Sequence, residues 1–245
     1  MKTLDEIENR LKLFETRFGM PIVGAQQGSA AWLALKLGVL SGSNAAKIVA
    51  KKDSEKRNTY MCDLVAEVCT GVTEELNFKQ LEWGKAHEDA ARSSYEFSTD
   101  SKIEQVTFVF RDDTFREGCS PDGLLLSGKG AEIKCPWDSA NYIKFLVAEE
   151  IKTDWQWQNQ FNMRVTGASH WDFVMYDPRM KKLPIKILTL ERDEEKQKTF
   201  DDAVPQFIHE MDKLLEKIGI GFGDQWTRIK YQSSVAEQTK IAEMV

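Results

Sequence analysis

The chain has 245 residues, 42% of them hydrophobic and 29% charged, which supplies apolar material for one sizeable core and excludes a disordered or fibrous protein. Its net charge of −6 argues against a nucleic-acid binder that works by bulk charge, because nonspecific duplex affinity rests on lysine and arginine neutralising phosphates. The N-terminus lacks a secretion-type apolar stretch and no run of about 18 apolar residues occurs, so a soluble protein that stays in the compartment where it is made, with no membrane contact, is expected.

In chain order, Leu4, Ile7, Leu11, Phe14 and Phe18 recur at steps of three and four, the period of an amphipathic helix. Further helices are expected over about 29–37, 43–51 and 59–70, the last stopped by Gly71, and a long one from an Asn77 cap to about Phe97. The period then changes to two. Residues 103–111, 114–119, 122–126 and 131–135 read as strands, with a turn at Ser127–Gly130 joining the last two. Helices at 138–148 and 154–166, strands at 170–176 and 184–190, and an acidic helical region from near Asp193 follow, with Pro205 expected to interrupt it. No repeat, low-complexity tract or Pro/Gly/Ser-rich linker divides the chain. The order predicts a single domain of α/β class, a mixed sheet flanked by helices, without a glycine-rich nucleotide fingerprint.

Charge is unevenly spread. Residues 47–57 hold five basic and two acidic side chains, among them Lys51, Lys52, Lys56 and Arg57, whereas residues 191–216 hold nine acidic and four basic. The basic run is a candidate DNA-facing surface, and its plain alternative is a solvated helix face. Cys62, Cys69, Cys119 and Cys135 form no CxxC pair and read as buried reduced thiols. His87, His170 and His209 share no ligand spacing, so none is read as a catalyst.

The most informative stretch is Ser120-Pro121-Asp122-Gly123, followed ten residues after Asp122 by Glu132-Ile133-Lys134. On a strand Glu132 and Lys134 project to one face and Ile133 to the other. A hairpin can bring Asp122 alongside Glu132. Two carboxylates so close repel unless a cation lies between them, and hard oxygen donors select magnesium or manganese. Such an ion activates water and polarises a phosphoryl oxygen, while a neighbouring lysine stabilises transition-state charge. By spacing alone an exposed turn aspartate and a cross-strand ion pair would serve as well.

The sequence Pro121-Asp122 with Glu132-Ile133-Lys134 resembles the PD-(D/E)xK nuclease motif, and its surroundings are similar to the phage lambda exonuclease family. The likeness also includes Leu64–Val72, Trp83-Gly84-Lys85, Cys119–Gly123, Lys134-Cys135-Pro136 and Tyr176–Lys181, and runs from about Ala31 to Trp226. It implies a restriction-endonuclease-like fold, with a catalytic core at about 77–190 between helical parts at 1–76 and 191–245. It further implies a Mg2+-dependent (Mn2+ substituting) processive 5′-to-3′ exonuclease acting on double-stranded DNA ends, encoded by a phage or prophage and working as a homotrimeric ring beside a single-strand annealing protein in the cytoplasm of a bacterial host.

By that resemblance Asp122, Glu132 and the Ile133 carbonyl would hold the metal and Lys134 would assist the attacking water. Glu88 corresponds to an upstream acidic residue. It shares a helix face with Leu81 and Arg92, which leaves an ordinary Glu88–Arg92 pair as its alternative. Gln160 is expected in the site with Gln158 in support, since two residues apart on a helix means about 200° of rotation. Leu81 would wedge the duplex end apart. Lys36, Ser43 and Ser120 would hold the terminal 5′ phosphate, with Lys36 standing where the family carries arginine and so lacking a bidentate fork. A site-specific or structure-specific endonuclease and an inactive DNA-binding module stand as alternatives.

Overall fold

The computed structural model describes residues 1–73 and 79–227, without the side chains of 79–81 and 85. The expected Asn77 cap, the Leu81 side chain and residues 228–245 therefore lie outside the described residues. Helix α1 (Leu4–Phe18) opens on a capping box between Thr3 and Glu6 and ends at Gly19, whose φ of 66° costs a residue without Cβ little. Its stripe Ile7, Leu11 and Phe14 is buried. Short α2 (Ala30–Leu35), β1 (Leu40–Ser41), a 3₁₀ turn (Gly42–Asn44), α3 (Ala45–Ile48) and α4 (Glu55–Thr70) complete the N-terminal part, with Gly71 closing α4 as expected. Helix α5 then spans Lys79–Thr99.

Two sheets follow. In the first, β3 (Glu117–Cys119) lies between β1, parallel to it, and β2 (Val109–Phe110), antiparallel. In the second, the order is β4 (Gly123–Leu124), β5 (Lys129–Lys134), β6 (His170–Tyr176) and β7 (Ile185–Glu191). Only the β5–β6 pair in it is parallel, and the return between them carries α6 (Ser139–Ala148) and α7 (Thr153–Thr166). This is the mixed, helix-flanked sheet the patterning predicted.

The strand expected over 103–111 is mostly not one. Glu104 bridges Leu124 beside the second sheet, while Val109 and Phe110 pair with β3 in the first. A segment that crosses between two sheets cannot pair along its length, although its alternation is the same.

Helix α8 (Glu194–Ile218) also departs from expectation, because Pro205 lies inside it without ending it. Phe200, Val204, Phe207, Met211 and Leu215 keep a buried stripe in phase across the proline, whose own ring sits on the exposed face. Burial of those side chains at roughly 1.5–3 kcal/mol each outweighs a proline cost of about 3 kcal/mol.

The main core joins α1, α4, α7, α8 and the first sheet around Phe14, Phe108, Phe161, Phe207 and Trp226. A second cluster packs Ala91 and Tyr95 of α5 against Ala131 and Ile133 of β5. A third sets Tyr142 and Phe145 of α6 against Phe173 of β6. Strand β5 is thus covered by α5 on one face, and α7 meets the other.

Candidate active site

The site forms at the open end of the β4–β5 hairpin. Gly123 pairs with Ala131, so one residue back along that register Asp122 comes opposite Glu132, and its Oδ2 accepts the Ile133 N–H at 2.6 Å. The turn that sets this register lies at Leu125–Gly128, where Leu125 N–H bonds Lys129 O at 2.9 Å and Gly128 takes a φ of 89°. Strand β5 therefore begins at Lys129, two residues before its expected start. Gly130 has no room for a Cβ, which would meet the Trp171 ring at 2.3 Å.

Alternation then sorts the triplet. Ile133 goes into the core with α5, while Glu132 and Lys134 share the other face and pair at 2.6 Å. Glu132 is 3% exposed, and a charge so buried demands partners. Gln158 donates to its Oε1 at 2.6 Å and Asn162 to its Oε2 at 3.2 Å, both from α7. Asn162 can approach because Gly42 lies beside it. A Cβ at Gly42 would stand 2.2 Å from the Asn162 side-chain oxygen. Neither Asn162 nor Gly42 was singled out in the sequence, where each reads as an ordinary polar or turn residue. Their one signal is that Asn162 follows Gln158 by four positions, one helical turn.

This geometry reverses the expected roles of the two glutamines. Gln158 reaches the carboxylate, whereas Gln160 turns away, donating to Glu191 O at 2.8 Å and accepting from the Asp193 N–H at 2.9 Å. The two side chains do point apart, as positions two apart on a helix must, but Gln158 is the one on the face toward Glu132. Tertiary contact decides it, because Gln160 ties α7 to the end of β7 and the start of α8.

Glu88 approaches from the α5 side. Its carboxylate pairs with Arg92 at 2.7 Å, so the expected i,i+4 ion pair is present, and Arg92 also binds Asp89 at 2.8 Å. Its charge still bears on the hairpin. Burial raises the Asp122 carboxyl well above its ordinary range, the Glu132 charge adds to this, and Glu88 contributes in the same direction. Burial would lower the Lys134 ammonium, but Glu132 and Asp122 outweigh it and hold it raised. The Cys135 thiol is pushed up to about 12 by burial and then by Glu88, Asp122 and Asp177. Acidic groups thus crowd one point with a single ammonium between them.

Among the described residues no three His, Cys, Asp or Glu side chains already converge at ligand spacing. Two carboxylates and the Ile133 carbonyl form a hard-oxygen donor set that suits Mg2+ or Mn2+ and offers no soft ligand.

The residues expected at a 5′ phosphate gather incompletely. Lys36 and Ser43 line one cavity of about 150 Å³ with Ser41, Asn44, Tyr60 and Glu67. Ser120 is joined to them through Trp32, whose Nε1 donates to Ser120 Oγ at 2.9 Å and whose ring centre lies 3.8 Å from the Lys36 Nζ. Trp32 was not singled out, although it precedes Lys36 by one helical turn. Burial lowers the Lys36 ammonium to about 8, against an opposing pull from Glu67. A separate cleft of about 820 Å³ is lined by Trp32, Gln26, Gln105, Arg92 and Glu88.

The basic run is largely neutralised. Arg57 is 3% exposed, pairs with Glu210 at 2.6 Å and lies 4.8 Å over the Phe207 ring, so it is a packing residue and the DNA-facing expectation for it is corrected. Lys52 also approaches Glu210, at 3.7 Å, and Lys56 pairs with Asp154 at 3.3 Å, while Lys51 is exposed. Cysteine burial holds for Cys119 but not for Cys62, which is exposed.

Residues 31–169 match the YqaJ-like viral recombinase domain. ExoD of Escherichia coli (strain K12), itself uncharacterised, is 44% identical over 78 residues, 32% of this chain and 90% of that one. The alkaline exonuclease LHK-Exo from Laribacter hongkongensis superposes with a TM-score of 0.69 at 26% identity, covering 78% of this chain and 98% of its own, and its complex with dAMP gives 0.68. A phage-related exonuclease from Haemophilus somnus 129PT shares the fold, with a TM-score of 0.61 at 13% identity over 74% of this chain and 96% of its own. The sheet and its flanking helices are thus the restriction-endonuclease-like fold of these nucleases. With more than half its length inside that match, the acidic hairpin included, the chain belongs to the YqaJ-like viral recombinase domain family, that of the lambda-type exonucleases.

Proposed function

We propose that the chain is a Mg2+-dependent exonuclease that hydrolyses one strand of linear double-stranded DNA from its 5′ end and leaves a 3′ overhang. The observation that carries the reading is the β4–β5 hairpin end, where Asp122 faces Glu132 and Lys134 shares the Glu132 face. Asp122, Glu132 and the Ile133 carbonyl would hold the ion, which when bound lowers the pKa of water and polarises the phosphoryl group. Lys134 holds a positive charge where the pentacoordinate phosphorus gains a negative one. Gln158 and Asn162 fix the Glu132 carboxylate so that it need not reorganise during the reaction.

A lysine pocket set apart from the acidic centre favours an exonuclease over an endonuclease, because it supplies a place for a terminal phosphate. Its charge is present below about pH 8 and lost above it. Since kcat/KM reports groups of the free enzyme, preference for 5′-phosphoryl over 5′-hydroxyl ends should fall as pH rises from about 7 to 10, and Lys36→Arg should flatten that fall. A preference independent of pH in the unmodified enzyme would remove Lys36 from the pocket.

A homotrimeric ring accounts for how an acidic protein stays on duplex DNA, by topology instead of bulk charge. A single-strand annealing protein is the natural recipient of the overhang, and the bacterial cytoplasm the setting. No helix among the described residues is long and apolar enough to cross a membrane. The deciding test offers linear and covalently closed circular duplex with magnesium and with chelator. Magnesium-dependent loss of the linear form alone is expected; cutting of the closed circle would establish the endonuclease reading instead.

A further inference from the structure

Just beyond Lys134 the chain runs Cys135-Pro136-Trp137, and the Trp137 side chain is 49% exposed. A half-exposed indole on a mobile loop would mean little, but this loop is fixed. Arg179 donates to the Pro136 and Trp137 carbonyls, both at 2.9 Å. The guanidinium is itself pinned by Asp177, which is fully buried, through bonds of 2.8 Å to Oδ1 and 2.9 Å to Oδ2. Trp137 also meets the Trp83 ring edge to face at 5.5 Å and 88°. Trp83 is not free to serve in its place: Arg179 lies 4.5 Å from its ring centre and His87 stacks on it at 3.8 Å. The same stack stands one residue before Glu88 on α5. A fixed aromatic shelf therefore joins α5, next to Glu88, to the segment three residues past Lys134 and ends in one half-exposed indole.

We infer that Trp137 is a stacking platform for an unpaired nucleobase of the strand whose phosphate lies at Asp122 and Glu132. The inference rests on the nuclease reading of that site. Every base has a π-face, so such a platform grips any sequence and needs no hydrogen-bond readout. Because the shelf is preorganised, little conformational entropy is lost when a base lands on it. It acts only on a base already out of the duplex, and so selects frayed or opened ends at the step before hydrolysis.

The test uses the full chain with Asp122→Ala, which keeps the strand intact, and a duplex whose 5′-terminal nucleotides are mismatched and carry 2-aminopurine at the first position. Binding should quench the fluorescence. Trp137→Ala should relieve the quench and weaken binding by roughly 5- to 160-fold, the span expected for one lost base–aromatic stack. Trp137→Phe should retain much of both. An abasic residue in place of 2-aminopurine should abolish the difference between Trp137 and Ala. Unchanged quenching in Trp137→Ala, or an equal affinity loss on the abasic end, overturns the platform. So does a shift in oligomeric state with quenching unaltered, which would make Trp137 a subunit contact. Magnesium-dependent hydrolysis by the chain with Asp122 and Trp137 intact is scored separately, so loss of the nuclease reading and loss of the platform are told apart.

Discussion

The β4–β5 hairpin and the basic run at 47–57 are both short, charged stretches that suggest contact with DNA, yet only the hairpin keeps its charges at a common centre. Its side chains are set by a two-residue strand period and a fixed register, so Asp122, Glu132 and Lys134 can stand in few other places. The basic run crosses the turn between α3 and α4 into the first turn of α4, where its surroundings come from far along the chain, and Glu210 and Asp154 take up three of its four candidate cations. Charge on a strand end is a statement about geometry. Charge in a turn or on a helix face is a statement about composition until its partners are known.

The largest effect that can break this contrast comes from the hairpin. Glu132→Ala should abolish cleavage while duplex binding survives, and Lys134→Ala should slow it on the order of 10²-fold, as loss of one preorganised transition-state donor does. Single-turnover rates on linear duplex check both. Wild-type-like turnover in either would mean that fixed register does not mark function here.

Helix α7 sharpens the comparison, because one helix serves both the site and the scaffold. Gln158→Ala should lower the cleavage rate roughly tenfold, about 1.4 kcal/mol and so near the lower end of the ~1.5–3 kcal/mol of one hydrogen bond to a charged group, with little change in melting. Gln160→Ala should do the reverse, costing about 1–3 kcal/mol of stability by stranding the Asp193 N–H and the Glu191 carbonyl. A rate loss confined to Gln160→Ala would restore the assignment read from sequence.

That reversal indicates what was legible. The motif spacing contained the hairpin, since a turn between two strands leaves one register that keeps Ile133 in the core. It contained the C-terminal ends of α4 and α7, which rest on the glycine caps Gly71 and Gly167. It did not contain the facing of α7, the continuity of α8 through Pro205 or the burial of Arg57. Each depends on contacts 26 or more residues away, from the Gln158–Glu132 bond to the 153-residue separation between Arg57 and Glu210. Asn162 and Trp32 were missed for the same reason, being polar and aromatic helix residues whose partners are brought in by the fold.

On the other side of the comparison, Arg57→Ala should cost about 2 kcal/mol of stability, measured by urea denaturation, and leave the salt dependence of DNA binding unchanged. That is below the ~3–5 kcal/mol of a fully buried broken pair, because the Glu210 side chain keeps 25% of its surface in water. The smallest effect belongs to the surface lysines. Neutralising Lys51, Lys52 and Lys56 together should flatten the salt slope by less than the ~2.7 expected for three phosphate contacts, since two of them are already paired. A full drop of that size would return the run to the DNA interface.

The most direct test of the central claim, that Asp122 and Glu132 hold a divalent ion for phosphodiester hydrolysis, is a magnesium titration of single-turnover cleavage on 5′-phosphorylated linear duplex, run with the unmodified chain and with Asp122→Ala. Saturable magnesium-dependent release of 5′-terminal nucleotides by the unmodified chain, extinguished by chelator and absent in Asp122→Ala at every magnesium concentration, is the predicted result. Cleavage that persists in chelator, or a magnesium dependence shared by Asp122→Ala, would contradict it.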